Sequence, residues 1–89
     1  MDTTKEKIAV ELKRILVEDL FVEIPIEKMK DSDSLSTDIG IDSVGQIEFV
    51  SLLEERYGMK IDIKQAAENL KTIESTAEYV WKNRQPVTP

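Results

Sequence analysis

The 89-residue sequence contains no cysteine and no histidine. Without cysteine, the chain forms no disulfide bond and offers no thiolate for a metal site or for nucleophilic attack. Without histidine, it lacks the side chain that most often acts as a general base near neutral pH. A chain of this length also offers little room for a cleft around paired carboxylates, and its three glycines do not form a phosphate-binding loop. These absences predict a protein that is not an enzyme, with no catalytic residue and no metal site.

Long apolar runs and an excess of basic residues are absent as well. No apolar run approaches the roughly 18 residues of a membrane span, and the first residues do not resemble a secretory signal. We therefore expect a cytoplasmic protein that does not enter membranes. Twelve Lys and Arg residues against eighteen Asp and Glu residues give a net charge of −6. That charge argues against a nucleic-acid partner, because binding to phosphates needs a basic surface.

The acidic residues are concentrated in one segment of the chain. Residues 31–55 contain seven Asp or Glu residues and no Lys or Arg. Such a segment is consistent with a solvated face that keeps the protein in solution. It is equally consistent with a docking surface whose field accelerates the encounter with basic partners. Charge alone does not separate these two interpretations.

Apolar residues at helical spacing predict an all-α fold, a small four-helix bundle with three longer helices and one short helix. The predicted helices cover residues 4–21, 43–57, 64–69 and 73–83. A long loop, residues 22–42, connects the first and second helices. One domain is expected over residues 1–84, followed by a disordered tail at residues 85–89.

Capping residues support these boundaries. Thr3 begins a capping-box pattern before the first helix, and Asp42 and Thr72 are N-cap residues for the second and fourth helices. Gly58 stands where a glycine commonly ends a helix. In the fourth helix we expect four residues to face the core: Ile73, Ala77, Val80 and Trp81.

The second helix carries more apolar surface than one buried face requires. At 100° per residue, one stripe contains Phe49, Val50, Leu53 and Tyr57. Val44 and Ile47 lie off that stripe. A loop or the short third helix could cover them, they could be isolated surface residues, or they could form a contact patch beside Ser43.

Ser43 is the remaining candidate for chemistry. A serine at a helix start is usually a cap, but Asp42 can serve as the cap here and leave the Ser43 hydroxyl free. A phosphate ester on this hydroxyl would lie at a helix N-terminus, where backbone N–H groups and the helix dipole favour an anion.

Residues 38–44 (DIGIDSV), the acidic second helix that ends at Gly58, and the patterns of the last two helices resemble the acyl carrier proteins over about residues 5–83. The resemblance implies that a phosphopantetheinyl transferase esterifies Ser43 with 4′-phosphopantetheine from coenzyme A. The thiol of this arm would carry acyl groups as thioesters to fatty-acid, polyketide or specialised-lipid enzymes. It also implies that the core can open beside the second helix to shelter an acyl chain.

The same resemblance assigns roles to residues around Ser43. Asp42 would help to present the serine to the transferase and its metal ion. Contacts with acyl-transferring and condensing enzymes, which have basic docking surfaces, would come from Val44, Ile47, Glu48, Glu54 and Glu55. The carrier itself is expected to be a monomer.

Some positions depart from the commonest pattern of the family. Val44 replaces the usual leucine, Gly45 follows it where a polar residue is frequent, Ser51 replaces a common methionine, and Arg56 interrupts the acidic helix. These differences indicate a specialised carrier, for a polyketide or an unusual lipid, in place of one for housekeeping fatty-acid synthesis. An aminoacyl or peptidyl carrier is an alternative against which Ile41 argues. The other alternative is an unmodified acidic module that binds a basic partner.

Overall fold

The structure is a computed structural model that describes residues 4–83. It contains four α-helices: α1 (Lys5–Glu18), α2 (Ser43–Tyr57), α3 (Ile63–Asn69) and α4 (Ile73–Asn83). A single 3-10 turn, Ile26–Lys28, lies in the long loop between α1 and α2. Within residues 4–83 there is no β-strand, and only one isolated bridge, Ser34 with Thr72, is formed. The expected all-α bundle is confirmed. The expected tail at residues 85–89 lies outside the described residues.

The core is formed mainly between α1 and α4, which pack against each other. Most of its fully buried side chains come from three helices: Ile8, Leu12, Ile15 and Leu16 of α1, Phe49 and Leu53 of α2, and Ile73, Ala77 and Val80 of α4. Burial of each large apolar side chain contributes about 1.5–3 kcal/mol. Because α2 contributes only Phe49 and Leu53 to the buried set, this helix is attached to the core along a narrow stripe. None of the four helices described is long and apolar enough to cross a bilayer.

The helix starts are set by side-chain caps. Thr4, and not the predicted Thr3, is the N-cap of α1, and its hydroxyl accepts a hydrogen bond from the Lys7 N–H at 3.2 Å. Thr3 itself lies outside the described residues. The Thr72 hydroxyl accepts from the Ser75 N–H at 2.9 Å and caps α4 as predicted. These bonds satisfy backbone groups that a helix start leaves without partners.

The first helix ends earlier than residue 21, the predicted end. Phe21 adopts a left-handed conformation with φ of 59°, and the Val22 N–H donates to the Leu16 carbonyl at 2.9 Å. The regular part of α1 therefore ends at Glu18. A left-handed residue stops a helix because it reverses the direction of the backbone.

The long loop after α1 is held down along its length. Met29, Leu35 and Ile39 are buried in the core. Lys13 of α1 forms an ion pair with Asp31 at 2.8 Å. The Leu35 N–H also donates to the Lys71 carbonyl at 2.9 Å. The loop thus delivers the chain to the start of α2 along a defined path, and this path positions the first residues of that helix.

One prediction for α4 is wrong. Trp81 is exposed, and Thr76 takes its place on the buried face. The Thr76 hydroxyl donates to the Thr72 carbonyl at 2.7 Å. Because this bond satisfies the hydroxyl inside the helix, a polar residue is tolerated in the core.

Candidate functional site at the start of α2

Ser43 is the first residue of α2, and its side chain is exposed. The residue before it, Asp42, is the N-cap of the helix, as predicted. Asp42 Oδ1 accepts a hydrogen bond from the Gly45 N–H at 2.8 Å. Among residues 4–83, no hydrogen bond engages the Ser43 hydroxyl. The hydroxyl is therefore accessible from solvent and is not used to hold the fold.

The backbone around Ser43 favours negative charge. The first N–H groups of a helix have no partner inside the helix, and Asp42 occupies only that of Gly45. The N–H groups of Ser43 and Val44 are left for an anion, and the helix dipole adds positive potential at the same end. A phosphate ester on Ser43 therefore fits this position both sterically and electrostatically.

Two grooves meet at Ser43. The first lies between α2 and α3, has a volume of about 490 Å³ and is mainly apolar. We call it the α2–α3 groove, and its apolar lining includes Ile47, Val50, Ile61, Ile63, Ala66 and Ala67. The second, of about 460 Å³, separates the same end of α2 from the loop around Ser36 and from Leu70. An apolar chain attached near Ser43 therefore has a sheltered path along the surface.

Val44 and Ile47 are exposed by 62% and 64%. Neither the loop nor α3 covers them, so the first of the three alternatives for these residues is wrong. Glu48 is exposed in the same part of α2. The N-terminal half of the helix thus brings together the attachment candidates and three of the predicted partner contacts on one accessible surface.

Glu54 and Glu55 lie beyond that surface, about 9 to 11 Å further along the helix axis than Glu48. Glu55 is exposed, whereas Glu54 is half-buried. The Glu54 Oε2 atom accepts a hydrogen bond from the Ile61 N–H at 2.8 Å. Glu54 therefore fixes the turn between α2 and α3. Its role in partner binding stays a prediction.

Arg56 leaves the acidic character of α2 intact. Its guanidinium forms an ion pair with Glu11 of α1, with Nη1 and Oε1 3.2 Å apart. The positive charge is directed toward α1 and is offset by a carboxylate there. An exposed ion pair of this kind adds at most about 1 kcal/mol to stability, so its main consequence is for the charge distribution.

Sequence reasoning missed two exposed apolar residues near the site, Phe21 and Ile63. Ile63 is 87% exposed and lines the α2–α3 groove opposite Ile47. The predicted third helix begins at Lys64, one residue after its true start, and that prediction treats Ile63 only as the approach to the helix. The helical wheel contains a signal for Phe21, because at 100° per residue it lies about 180° from the buried Leu12, on the side of α1 away from the core.

The sequence from residue 10 to residue 80 matches the family described as the phosphopantetheine attachment site. The chain belongs to the acyl carrier protein family. Acyl carrier proteins of Rhodopseudomonas palustris (strain TIE-1) and Nitrobacter winogradskyi are 38% identical to it over 77 residues, which cover 86% of this chain and 94% of each relative. The solved structure of an acyl carrier protein from Enterococcus faecalis superposes with a TM-score of 0.74 at 25% identity, covering 91% of this chain and 99% of that one.

Membership of the acyl carrier protein family establishes the class of function. The chain has an acyl carrier role, and its prosthetic group is 4′-phosphopantetheine. Family members act as carriers and work with phosphopantetheinyl transferases and with synthesis enzymes. The expected family is confirmed.

Proposed function

We propose that Ser43 is the residue that carries phosphopantetheine, and that the chain delivers acyl intermediates from this residue without catalysing a reaction itself. The observation that carries the proposal is the exposed Ser43 hydroxyl at the start of α2, which no described residue engages in a hydrogen bond. Because Asp42 supplies the cap in its place, esterification of Ser43 removes no interaction that the fold requires.

Attachment makes one bond and breaks one. The Ser43 oxygen bonds to the phosphorus that carries the pantetheine group, the pyrophosphate P–O bond of coenzyme A breaks, and 3′,5′-ADP leaves. The hydroxyl proton passes to a base on the transferase. The free N–H groups at the start of α2 then face the new phosphodiester. Asp42 uses one carboxylate oxygen for the Gly45 N–H, and its second oxygen is available to the metal ion of the transferase.

The attached group supplies a thiol that holds the acyl group as a thioester. The chain's own contribution is shelter for the acyl chain. The α2–α3 groove has Ser43 on its rim and an apolar lining, and each methylene removed from water there contributes about 0.8 kcal/mol when fully buried. We place the acyl chain in this groove, between Ile47 of α2 and Ile63 of α3.

Delivery depends on the exposed half of α2. Val44 and Ile47 offer apolar contacts, and Glu48 offers a carboxylate on the same surface. A partner that presents basic side chains around an apolar one complements this arrangement, and long-range attraction accelerates the encounter. Acyl-transferring and condensing enzymes with basic docking surfaces are the partners proposed here.

The attachment site is tested by mass. The apo chain is incubated with coenzyme A and a broad-range phosphopantetheinyl transferase, and intact mass spectrometry follows the product. The wild-type chain should gain one phosphopantetheine, and Ser43→Ala should gain none. Ser51→Ala is the matched control, because Ser51 is another exposed serine of α2, and it should be modified like wild type. Modification of Ser43→Ala, or none of wild type, would refute the proposal.

The departures at Val44, Gly45 and Ser51 support a specialised pathway, for a polyketide or an unusual lipid. A cytoplasmic location and a monomeric state are further parts of the proposal. Intact-mass analysis of the protein from its native cell would identify the acyl group on Ser43. An ordinary saturated fatty-acyl series there would contradict the specialised assignment, and turnover of a substrate by the unmodified chain would contradict the carrier role.

A further inference from the structure

Phe21 combines two unfavourable features. Its backbone is left-handed, with φ of 59°, a conformation that glycine adopts readily and that is unusual for a bulky residue. Its aromatic side chain is also 81% exposed. The core gains little from this ring, since most of it lies in water. An apolar ring held outward at a strained position points to a role in contact with another molecule.

Phe21 lines part of a groove between the end of α1 and the start of α2. This α1–α2 groove has a volume of about 500 Å³ and is lined partly by Phe21 and Val44. Three carboxylate residues, Glu23, Asp42 and Glu48, also line it, and its lining includes no Lys or Arg. The groove therefore complements a partner element that carries both apolar and basic side chains.

The position of the groove selects among the possible partners. Asp42 and Val44, the two neighbours of Ser43 in the chain, both line it. The transferase must bring coenzyme A to the Ser43 oxygen itself, so it has to cover the surface immediately around that residue. Enzymes that act later meet the far end of the arm, so their contacts with Val44 and Glu48 do not have to surround the Ser43 oxygen. Among the partner enzymes, the transferase is therefore the one whose reaction most requires contact with this groove.

We propose that the α1–α2 groove is a docking site for the phosphopantetheinyl transferase, with Phe21 as its apolar anchor and Glu23 and Glu48 as acceptors for basic side chains of the enzyme. The proposal rests on Ser43 as the attachment residue. In this proposal the transferase contacts the end of α1 as well as α2. The α1–α2 groove lies on the opposite side of Ser43 from the α2–α3 groove.

The first test measures the rate of modification. A broad-range phosphopantetheinyl transferase is assayed with the apo chain at varied concentration, for wild type, Phe21→Asn and Val10→Asn. Asparagine tolerates the left-handed conformation, so Phe21→Asn should fold. Val10 is an exposed apolar residue of α1 that does not line the groove, and it is the matched control. We expect kcat/KM to fall about tenfold for Phe21→Asn through a higher KM, as for truncation of an aromatic anchor, and to stay within about twofold for Val10→Asn.

The second test measures binding without chemistry. In a Ser43→Ala background, isothermal titration calorimetry gives the Kd of the same transferase. Adding Phe21→Asn should weaken binding about tenfold. Adding Glu23→Gln should reduce the salt dependence of Kd, because one screened charge interaction is lost. Circular dichroism melting of each variant establishes that it is folded, and Phe21→Gly provides a second variant that accepts the same backbone conformation.

The outcomes separate this proposal from the assignment of Ser43. If wild type gains no mass, the attachment assignment fails and the docking proposal fails with it. If wild type is modified and folded Phe21→Asn and Phe21→Gly are modified and bound as well as wild type, only the docking proposal is overturned. Loss of a later acyl-transfer step in these variants, with unchanged modification, would also overturn it and would assign the groove to a different enzyme.

Discussion

Asp42 accepts a hydrogen bond from the Gly45 N–H at 2.8 Å, and this single bond separates two tasks at the start of α2. Asp42 caps the helix, so the fold does not require a hydrogen bond from the Ser43 hydroxyl next to it. Had the serine been the cap, esterification would have removed an acceptor that the helix start needs. The pairing of a capping aspartate with a free serine therefore makes the proposed attachment residue modifiable at little cost to the fold.

Two substitutions distinguish the capping role of Asp42 from its charge. Asparagine is an equally good N-cap, so Asp42→Asn should change the free energy of unfolding by less than about 0.5 kcal/mol, whereas Asp42→Ala should cost about 1 kcal/mol. Both remove the carboxylate oxygen proposed to face the metal ion of the transferase, and both should be modified more slowly. Urea unfolding and a mass time course measure the two effects. Wild-type modification of Asp42→Asn would show that only the cap matters.

Gly45 offers a stabilising substitution. A Cβ added there would lie 3.4 Å from both Asp42 Oδ1 and Ile41 Cβ, at the close limit of ordinary van der Waals contact. Because glycine in a helix is about 0.5–1 kcal/mol less stable than alanine, Gly45→Ala should raise the free energy of unfolding by about that amount. Gly58→Ala is the contrast, since Gly58 is left-handed with φ of 60°, and alanine there should cost about 1 kcal/mol. Urea unfolding of both variants measures these changes. Destabilisation by Gly45→Ala would show that the added Cβ does not fit at this position.

The boundaries of α2 could be predicted because both its ends are marked by residue type. Asp42 accepts a hydrogen bond from the helix start, and Gly58 adopts the left-handed conformation that ends it. The end of α1 carries no such mark. The helix ends near Phe21, which has a left-handed backbone, but an aromatic residue does not predict that conformation. The apolar periodicity therefore led to a predicted helix end beyond Glu18.

The error at Trp81 has a different origin. With Ile73 as reference, Trp81 lies at about 80° on the helical wheel and Thr76 at about −60°, so both stand at the edges of the buried stripe. Hydrophobicity favours the tryptophan, yet the structure buries Thr76, which is tolerated there because its hydroxyl donates to the Thr72 carbonyl inside the helix. Which edge of a helix is covered depends on its neighbours in three dimensions, and a single sequence does not contain that information. For α2 the same wheel succeeded, since Val44 and Ile47 lie far from the stripe.

Charged substitutions at the contact patch should impair delivery and spare the fold. Val44 and Ile47 are mostly exposed, so Val44→Asp and Ile47→Asp should change the free energy of unfolding by about 0.5 kcal/mol or less. Transfer of an acyl group to a condensing enzyme should slow for both. Phe49→Ala is the control for a buried position and should cost about 3–5 kcal/mol. A large fall in melting temperature for either patch variant would show that these residues support the core.

Shelter of the acyl chain in the α2–α3 groove predicts a stability difference. Octanoyl loading should raise the melting temperature of the modified chain, because methylene groups leave water in an apolar groove. Ile63→Ser removes an exposed wall of that groove, so it should reduce the increase and leave the unloaded chain nearly unchanged. Ile24→Ser lies outside the groove lining and should preserve the increase. Equal melting temperatures with and without octanoyl loading in the wild type would refute shelter.

Tyr57 predicts a specific alkaline weakness. Its hydroxyl is buried with no hydrogen-bond partner in the part of the chain that the structure describes. Burial raises the pKa of Tyr57 to about 12, and the nearby Glu11 carboxylate acts in the same direction. In the unfolded chain the phenol ionises near pH 10. Between about pH 10 and 12 the unfolded chain therefore loses a proton that the folded chain keeps, and the free energy of unfolding falls as the pH rises.

Tyr57→Phe should remove this part of the alkaline loss. At pH 7 it should leave stability unchanged or raise it by up to about 1 kcal/mol, because an unpaired buried hydroxyl disappears. Urea unfolding at pH 7, 9.5 and 11 measures both effects, and the difference between variant and wild type cancels the titration of the lysines. Parallel curves for the two proteins would contradict the raised pKa. Destabilisation by more than 1 kcal/mol at pH 7 would instead show that the hydroxyl makes a stabilising bond, for which the nearby Glu11 carboxylate is the candidate acceptor.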